Sequence, residues 1–137
     1  MAVGMATTLR NARLSAIRDA IDAGPAQGKL NLYAGTRPAT GASPAGSTLI
    51  GTLLFSDPCA AEPSNGVLTF NSISDDLAAD ASGTVAWARI TDSNNVFVMD
   101  VDVTDTNGNG EIRMNDVVVT ANDILRVTSA QISEAMA

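Results

Sequence analysis

The chain has 137 residues with 8 Lys and Arg against 15 Asp and Glu, a formal net charge of −7, no histidine and one cysteine. A surface with this balance repels phosphate over most of its area, which makes nucleic acid a poor partner. No run approaches the roughly 18 apolar residues of a membrane span, and the opening residues lack the basic start and apolar core of a secretory signal, so the chain is expected to fold in the cytosol where it is made.

The length suits one domain, residues 1–137, able to bury roughly 68% of the surface its unfolded form exposes. Leu9, Ala12, Leu14, Ala16, Ile17, Ala20, Ile21 and Ala23 recur at helical spacing, so a helix is expected over 8–24. Its apolar side is interrupted by Arg10 and Arg13, while Asn11, Ser15, Arg18, Asp19 and Asp22 fill the opposite side. Thr7 or Thr8 can serve as the N-cap, Gly24 suits a left-handed C-cap, and Pro25 forbids continuation. The face is expected to pack on the chain's own sheet, with docking on a neighbouring subunit as the alternative.

After Pro25 the rhythm becomes that of strands. Expected strands are 29–34, 48–55, 67–70, 84–91, 96–103, 116–120 and 124–132, separated by turn residues. Val85, Trp87 and Arg89 alternate with Ala86, Ala88 and Ile90, and this strand pairs with the next through Asp92-Ser93-Asn94-Asn95 as a hairpin. About seven short strands over 29–132 favour a mainly β fold, a β-sandwich of jelly-roll or immunoglobulin-like type, with one N-terminal α-helix covering an edge or an open end. Two long connections, 35–47 and 56–66, bury little and should lie on the surface as contact elements or as linkers without a role.

Chemistry-bearing patterns are few. Without histidine the commonest general base and activator of Ser or Cys is missing, and hydrolytic triads fall away. Lone Cys59 cannot form an internal disulfide and reads as a small, partly buried residue. Asp75, Asp76 and Asp80 cluster, but aromatic sugar platforms are scarce, so they read as a solvated turn. No phosphate loop or dinucleotide fingerprint is present. The sharpest spacing is Asp105 to Asp116, where Asp105, Asn107, Asn109, Glu111 and Asp116 fall in a pattern close to a calcium loop, with Gly at the sixth place. Its flanks are β-branched where an EF-hand needs helices, so an Asn-Gly hairpin turn without cofactor and a calcium-stabilised loop both remain open.

Four segments, Thr8 to Gly24, Leu32 to Gly41 with its Gly35-Thr36-Arg37-Pro38 run, Leu49 to Pro58, and Gly83 to Ser93 around Trp87, give the chain its family likeness. In order, they resemble a family of small tailed-phage virion proteins. The resemblance implies a non-enzymatic component of the particle, a head decoration or cement protein on the head surface, with the major capsid protein and further copies of itself, as dimer or trimer, for partners. A place in the tail or baseplate, or a carbohydrate-binding sandwich for host attachment assisted by calcium, are the alternatives. On this reading contacts are expected at Arg37 and Pro38 in the 35–47 loop and at Arg10 and Arg13 on the exposed helix, because arginine can grip a carboxylate through two parallel hydrogen bonds. The region after Val103 departs from the family pattern.

Overall fold

The structure, a computed structural model, describes residues 4–133. It is mainly β, sandwich-like, with one N-terminal helix: α1 (Thr7–Ile21) leads into β1 (Lys29–Ala34), β2 (Thr48–Leu54), β3 (Val67–Thr69), β4 (Gly83–Thr91), β5 (Phe97–Asp105), β6 (Ile112–Met114), β7 (Val118–Val119) and β8 (Val127–Ser133). The strands form one hydrogen-bonded path, β2-β1-β4-β5-β6-β8-β3, with β7 added beside the start of β4. β6 is absent from the sequence expectation. Its three residues pair parallel with β5 and antiparallel with β8, so it joins the two halves of the path.

The hairpin between β4 and β5 forms as expected, closed by Asp92, whose side chain accepts the N–H groups of Asn94 and Val96. The turn before β3 carries Asn65 and Gly66, both at positive φ, between the bridged residues Ser64 and Val67. Two left-handed residues in succession match a twisted strand pair.

One apolar core is built from the inward residues of these strands, among them Leu30, Leu32, Ile50, Leu53, Phe55, Leu68, Ala88, Ile90, Val101, Ile112 and Leu125. Register shifts interrupt the pairing of β1 with β2 and with β4, of β4 with β5, and of β6 with β8, and two of them bear on the outward face. Tyr33 pairs with Trp87 and Ala34 with Val85, which leaves Ala86 as an extra residue. Val98 is likewise extra between Met99 and Phe97. Each β-bulge reverses which face the following side chains occupy. Val85 therefore enters the core, while Trp87 and Phe97 stand on the opposite face with Tyr33 and Arg89.

The helix differs from its expected orientation and ends. Ala6 is the N-cap, and its methyl side chain has no acceptor for a cap bond, while Thr7 lies inside the helix and its hydroxyl accepts from the Arg10 guanidinium; the C-cap is Asp22, and Gly24 is not left-handed. Leu14 and Ile21 enter the core, with Ile17 packed beside them. Leu9, Ala12, Ala16 and Ala20 face outward, whereas Asn11 and Arg18, expected on the solvent side, are partly buried. Tertiary hydrogen bonds explain the rotation. Arg18 donates from Nε to the Ala60 carbonyl (2.9 Å) and from Nη1 to Glu62 (2.6 Å), Asp22 accepts the Cys59 N–H (3.1 Å), and Asn11 accepts the Gly66 N–H (2.9 Å). Alanines bury too little area to outweigh these polar anchors. The 56–66 connection is thereby bound to the helix along its length.

Cys59 is fully buried at this junction, and desolvation, reinforced by the adjacent Asp22 carboxylate, pushes its thiol up to about 12. Below about pH 9 the thiol is protonated in both folded and unfolded chains. Between about 9 and 12 only the unfolded chain releases the proton, so stability present at neutral pH is lost as pH rises through that window, by at most about 1.4 kcal/mol per pH unit. Denaturant titrations from pH 8 to 11 should show this decline in the parent and a shallower one in Cys59→Ala. Ellman's reagent at pH 8 should label Cys59 only after unfolding.

Candidate interaction surface

Tyr33, Trp87, Arg89 and Phe97 form a row across β1, β4 and β5 on the face turned away from the core. Tyr33 and Trp87 stack with ring centroids 4.5 Å apart and planes 11° from parallel. The Arg89 guanidinium carbon lies 5.5 Å from the Trp87 ring centroid and 5.1 Å from that of Phe97. It also makes a two-point contact with Asp100, Nε to Oδ1 at 2.8 Å and Nη2 to Oδ2 at 3.0 Å. Only 13% of the Arg89 side chain and 3% of the Asp100 side chain reach solvent. Hydrogen bonding to Asp100 raises the already high Arg89 pKa, fixing the cation at any working pH.

What covers Trp87 and Arg89 is the 35–47 connection, which lies over them as a strap and leaves Phe97 37% exposed. Trp87 Nε1–H donates to the Ser47 hydroxyl (3.1 Å), and that hydroxyl donates to the Thr36 carbonyl (3.2 Å). Arg89 Nη2 donates to the Ala42 carbonyl at 2.7 Å, and the Gly41 N–H reaches Asp100 Oδ2 at 3.4 Å. Gly41 has φ +74°, and a Cβ there would already touch the Phe97 ring at 3.4 Å. A glycine therefore serves both the left-handed backbone and the close approach. Trp87 is 1% exposed although it faces away from the core.

Of the expected contact residues, Arg37 and Pro38 ride on this strap. Arg37 is 45% exposed in its side chain and pairs with the exposed Asp102 at 3.4 Å. Pro38 is half-buried. Arg13 is exposed on α1 and touches Met5. Arg10 is a correction: only 6% of it is exposed, because the helix turns that side inward beside Leu14. The structure adds Tyr33, Trp87, Arg89, Phe97 and Asp100 as the residues that lie beneath the strap or hold it. Trp87 and Arg89 share this face by plain alternation, whereas the bulge at Val98 that turns Phe97 to it leaves no signature in the alternation.

The Asp105 to Asp116 segment begins at the end of β5. Asp105 accepts the Asn107 N–H (2.9 Å), Glu111 accepts the Asp102 N–H (3.0 Å), and Asp116 accepts the Val118 N–H (2.9 Å). Asn109 is exposed in the connection. Among the described residues no group of three or more Cys, Asp and Glu is placed to hold a metal ion. The Asp75 to Asp80 cluster is more than a solvated turn: Asp75 binds Arg126 (2.9 Å), and Asp76 accepts from Thr52 and Ala78 while its backbone bridges Leu125.

Two outcomes follow. Arg89→Ala leaves Asp100 buried without its partner and should cost about 3 kcal/mol, with Trp87 emission shifting to the red and proteolysis appearing within 35–47; limited digestion and fluorescence check this. Excess calcium should leave Tm unchanged, since the candidate carboxylates already accept backbone N–H groups; a rise reversed by chelation would show that they exchange those bonds for a cation. Comparison of the chain with protein families, with curated proteins and with solved structures returns no match.

Proposed function

We propose that the protein is a non-enzymatic adhesion component of a tailed-phage particle, binding the outer head shell as a decoration or cement protein. The observation that carries this reading is the 35–47 strap: a long Gly- and Pro-rich connection held on a row of aromatic and charged side chains, with Arg37 presented at the surface. A connection ordered before contact loses less conformational entropy on binding than a free loop would. The resemblance of the strap, the helix and the Trp87 strand to small virion proteins supports the same class.

The exposed pair between Arg37 and Asp102 contributes little to folding, so Arg37 can exchange its carboxylate for one on a partner at small cost. Multiple copies on one shell would add the gain of effective concentration to each contact. The major capsid protein and further copies of the chain are the partners this reading requires.

The test is to add purified protein to head shells lacking it and to locate it in a particle map. Density in register with the head lattice is the expected result, and density confined to the tail, or none, rejects the assignment. Arg37→Ala should weaken decoration about tenfold, the effect of an anchor worth more than 1 kcal/mol, while changing Tm by no more than a surface pair does.

A further inference from the structure

Arg18, Arg37, Arg89 and Arg126 each hold a carboxylate. Arg113 holds none, and no described residue accepts a hydrogen bond from its guanidinium. A carboxylate is nevertheless close by. Ile112 and Met114 of β6 enter the core, so Glu111 and Arg113 stand together on the outward face. The Glu111 carboxylate turns away to β5, where it accepts the Asp102 N–H at 3.0 Å.

Arg113 lines a groove of about 410 Å³ that opens between β5 and β8 where β6 begins. Asn109, Glu111 and Gln131 line it beside the arginine. Gln131 stands opposite Glu111 and faces outward, because Ala130 and Ile132 face the core, and Asn109 is exposed in the connection before β6. Neither side-chain amide is hydrogen-bonded to a described residue, and only one oxygen of the Glu111 carboxylate is engaged. Val101 and Ile132, 2% and 7% exposed, border the groove but turn their side chains to the core. The groups left to bond to a ligand are therefore polar side chains and strand backbone.

This set of groups specifies a ligand. The fork of Arg113 matches a planar carboxylate through two parallel hydrogen bonds. A phosphate dianion is disfavoured, because the Glu111 carboxylate two residues away repels the doubled charge. The chain as a whole is acidic, but here Arg37, Arg89 and Arg113 stand against Asp100, Asp102 and Glu111, so a single negative charge meets no net repulsion. The amides of Asn109 and Gln131 and the spare Glu111 oxygen offer donors and acceptors together, which hydroxyl groups satisfy at once. The volume lies in the range of small-molecule sites, roughly 300–1,000 Å³. We propose that the groove binds a sugar acid, a hydroxylated ring with one carboxylate, its carboxylate on Arg113 and its hydroxyls on Asn109, Glu111 and Gln131. Such recognition rests on hydrogen bonds and needs no aromatic platform. It goes beyond the particle assignment and does not depend on it.

An array of glycans ending in uronic or sialic acids, each beside its carboxyl-reduced counterpart, provides the probe for the full chain. At least one acidic glycan should bind about tenfold more tightly than its reduced counterpart, the worth of one charge-assisted contact, and titration with it should shift the side-chain amide resonances of Asn109 and Gln131. Arg113→Gln should lower the affinity to that of the reduced glycan with Tm unchanged, since Arg113 has no partner among the described residues to lose. Arg113→Lys keeps the charge without the fork and should recover only part of the loss. The inference is overturned if no acidic glycan is preferred to its reduced form, if Arg113→Gln binds as the parent does, or if inorganic phosphate competes as well as the free sugar acid. It is overturned equally if binding appears only once residues 134–137 are removed, which would make that segment the occupant of the groove.

Discussion

The Arg89–Asp100 pair is the contact on which the outward face of this protein depends. A guanidinium that must stay charged is held between two aromatic rings and against a carboxylate almost without access to water. Such a pair is stable only when its remaining donors are satisfied, because an ion taken out of water without full compensation costs several kcal/mol. A further donor of the cation, on Nη2, reaches the Ala42 carbonyl, which belongs to the strap. Desolvation of the pair and closure of the strap are consequently one event: the loop supplies the acceptor that the buried cation needs, and the cation fixes the loop.

The helix side of the molecule follows the same logic with different groups. Arg18, Asp22 and Asn11 each reach a backbone atom of the 56–66 region. A backbone polar group in a long connection needs a partner, and here charged helix side chains provide it. Both long connections are thus bound to regular structure, one by the sheet and one by the helix. A body with few loose segments suits a protein whose proposed work is to hold neighbouring surfaces together, since little order remains to be imposed on contact.

The short β6 makes the only parallel pairing among the described residues. It exists because Gly110 allows the chain to double back against β5, and because the Glu111 carboxylate closes one backbone donor of the exposed edge. An acidic residue at the end of an open edge is a common way to discourage unwanted pairing. In this chain it closes the Asp102 N–H.

Much of the architecture was legible in the residues. The change from helical to alternating rhythm at Gly24-Pro25, β1 at its observed bounds, and the hairpin through Asp92 to Asn95 all followed from periodicity and turn chemistry, which are local properties. The face of α1 that enters the core was legible only in part: Leu14, Ile17 and Ile21 lie on it as expected, but Leu9, Ala12, Ala16 and Ala20 turn outward because the hydrogen bonds of Arg18 and Asp22 to distant backbone outweigh the small area of the alanines. Nor could periodicity place Phe97 on the strap face or Val85 in the core, since a bulge depends on the pairing of two strands and not on either strand alone.

The sequence by itself determined the secondary-structure class, the absence of histidine chemistry and the acidic surface, all of which are written in composition and local pattern. The burial of Arg10, the latching of residues 35–47 and the parallel pairing of β6 with β5 were decided only by tertiary structure. Each depends on register and hydrogen bonding between residues far apart in the chain, where the energy of a contact belongs to a pair that no local window contains.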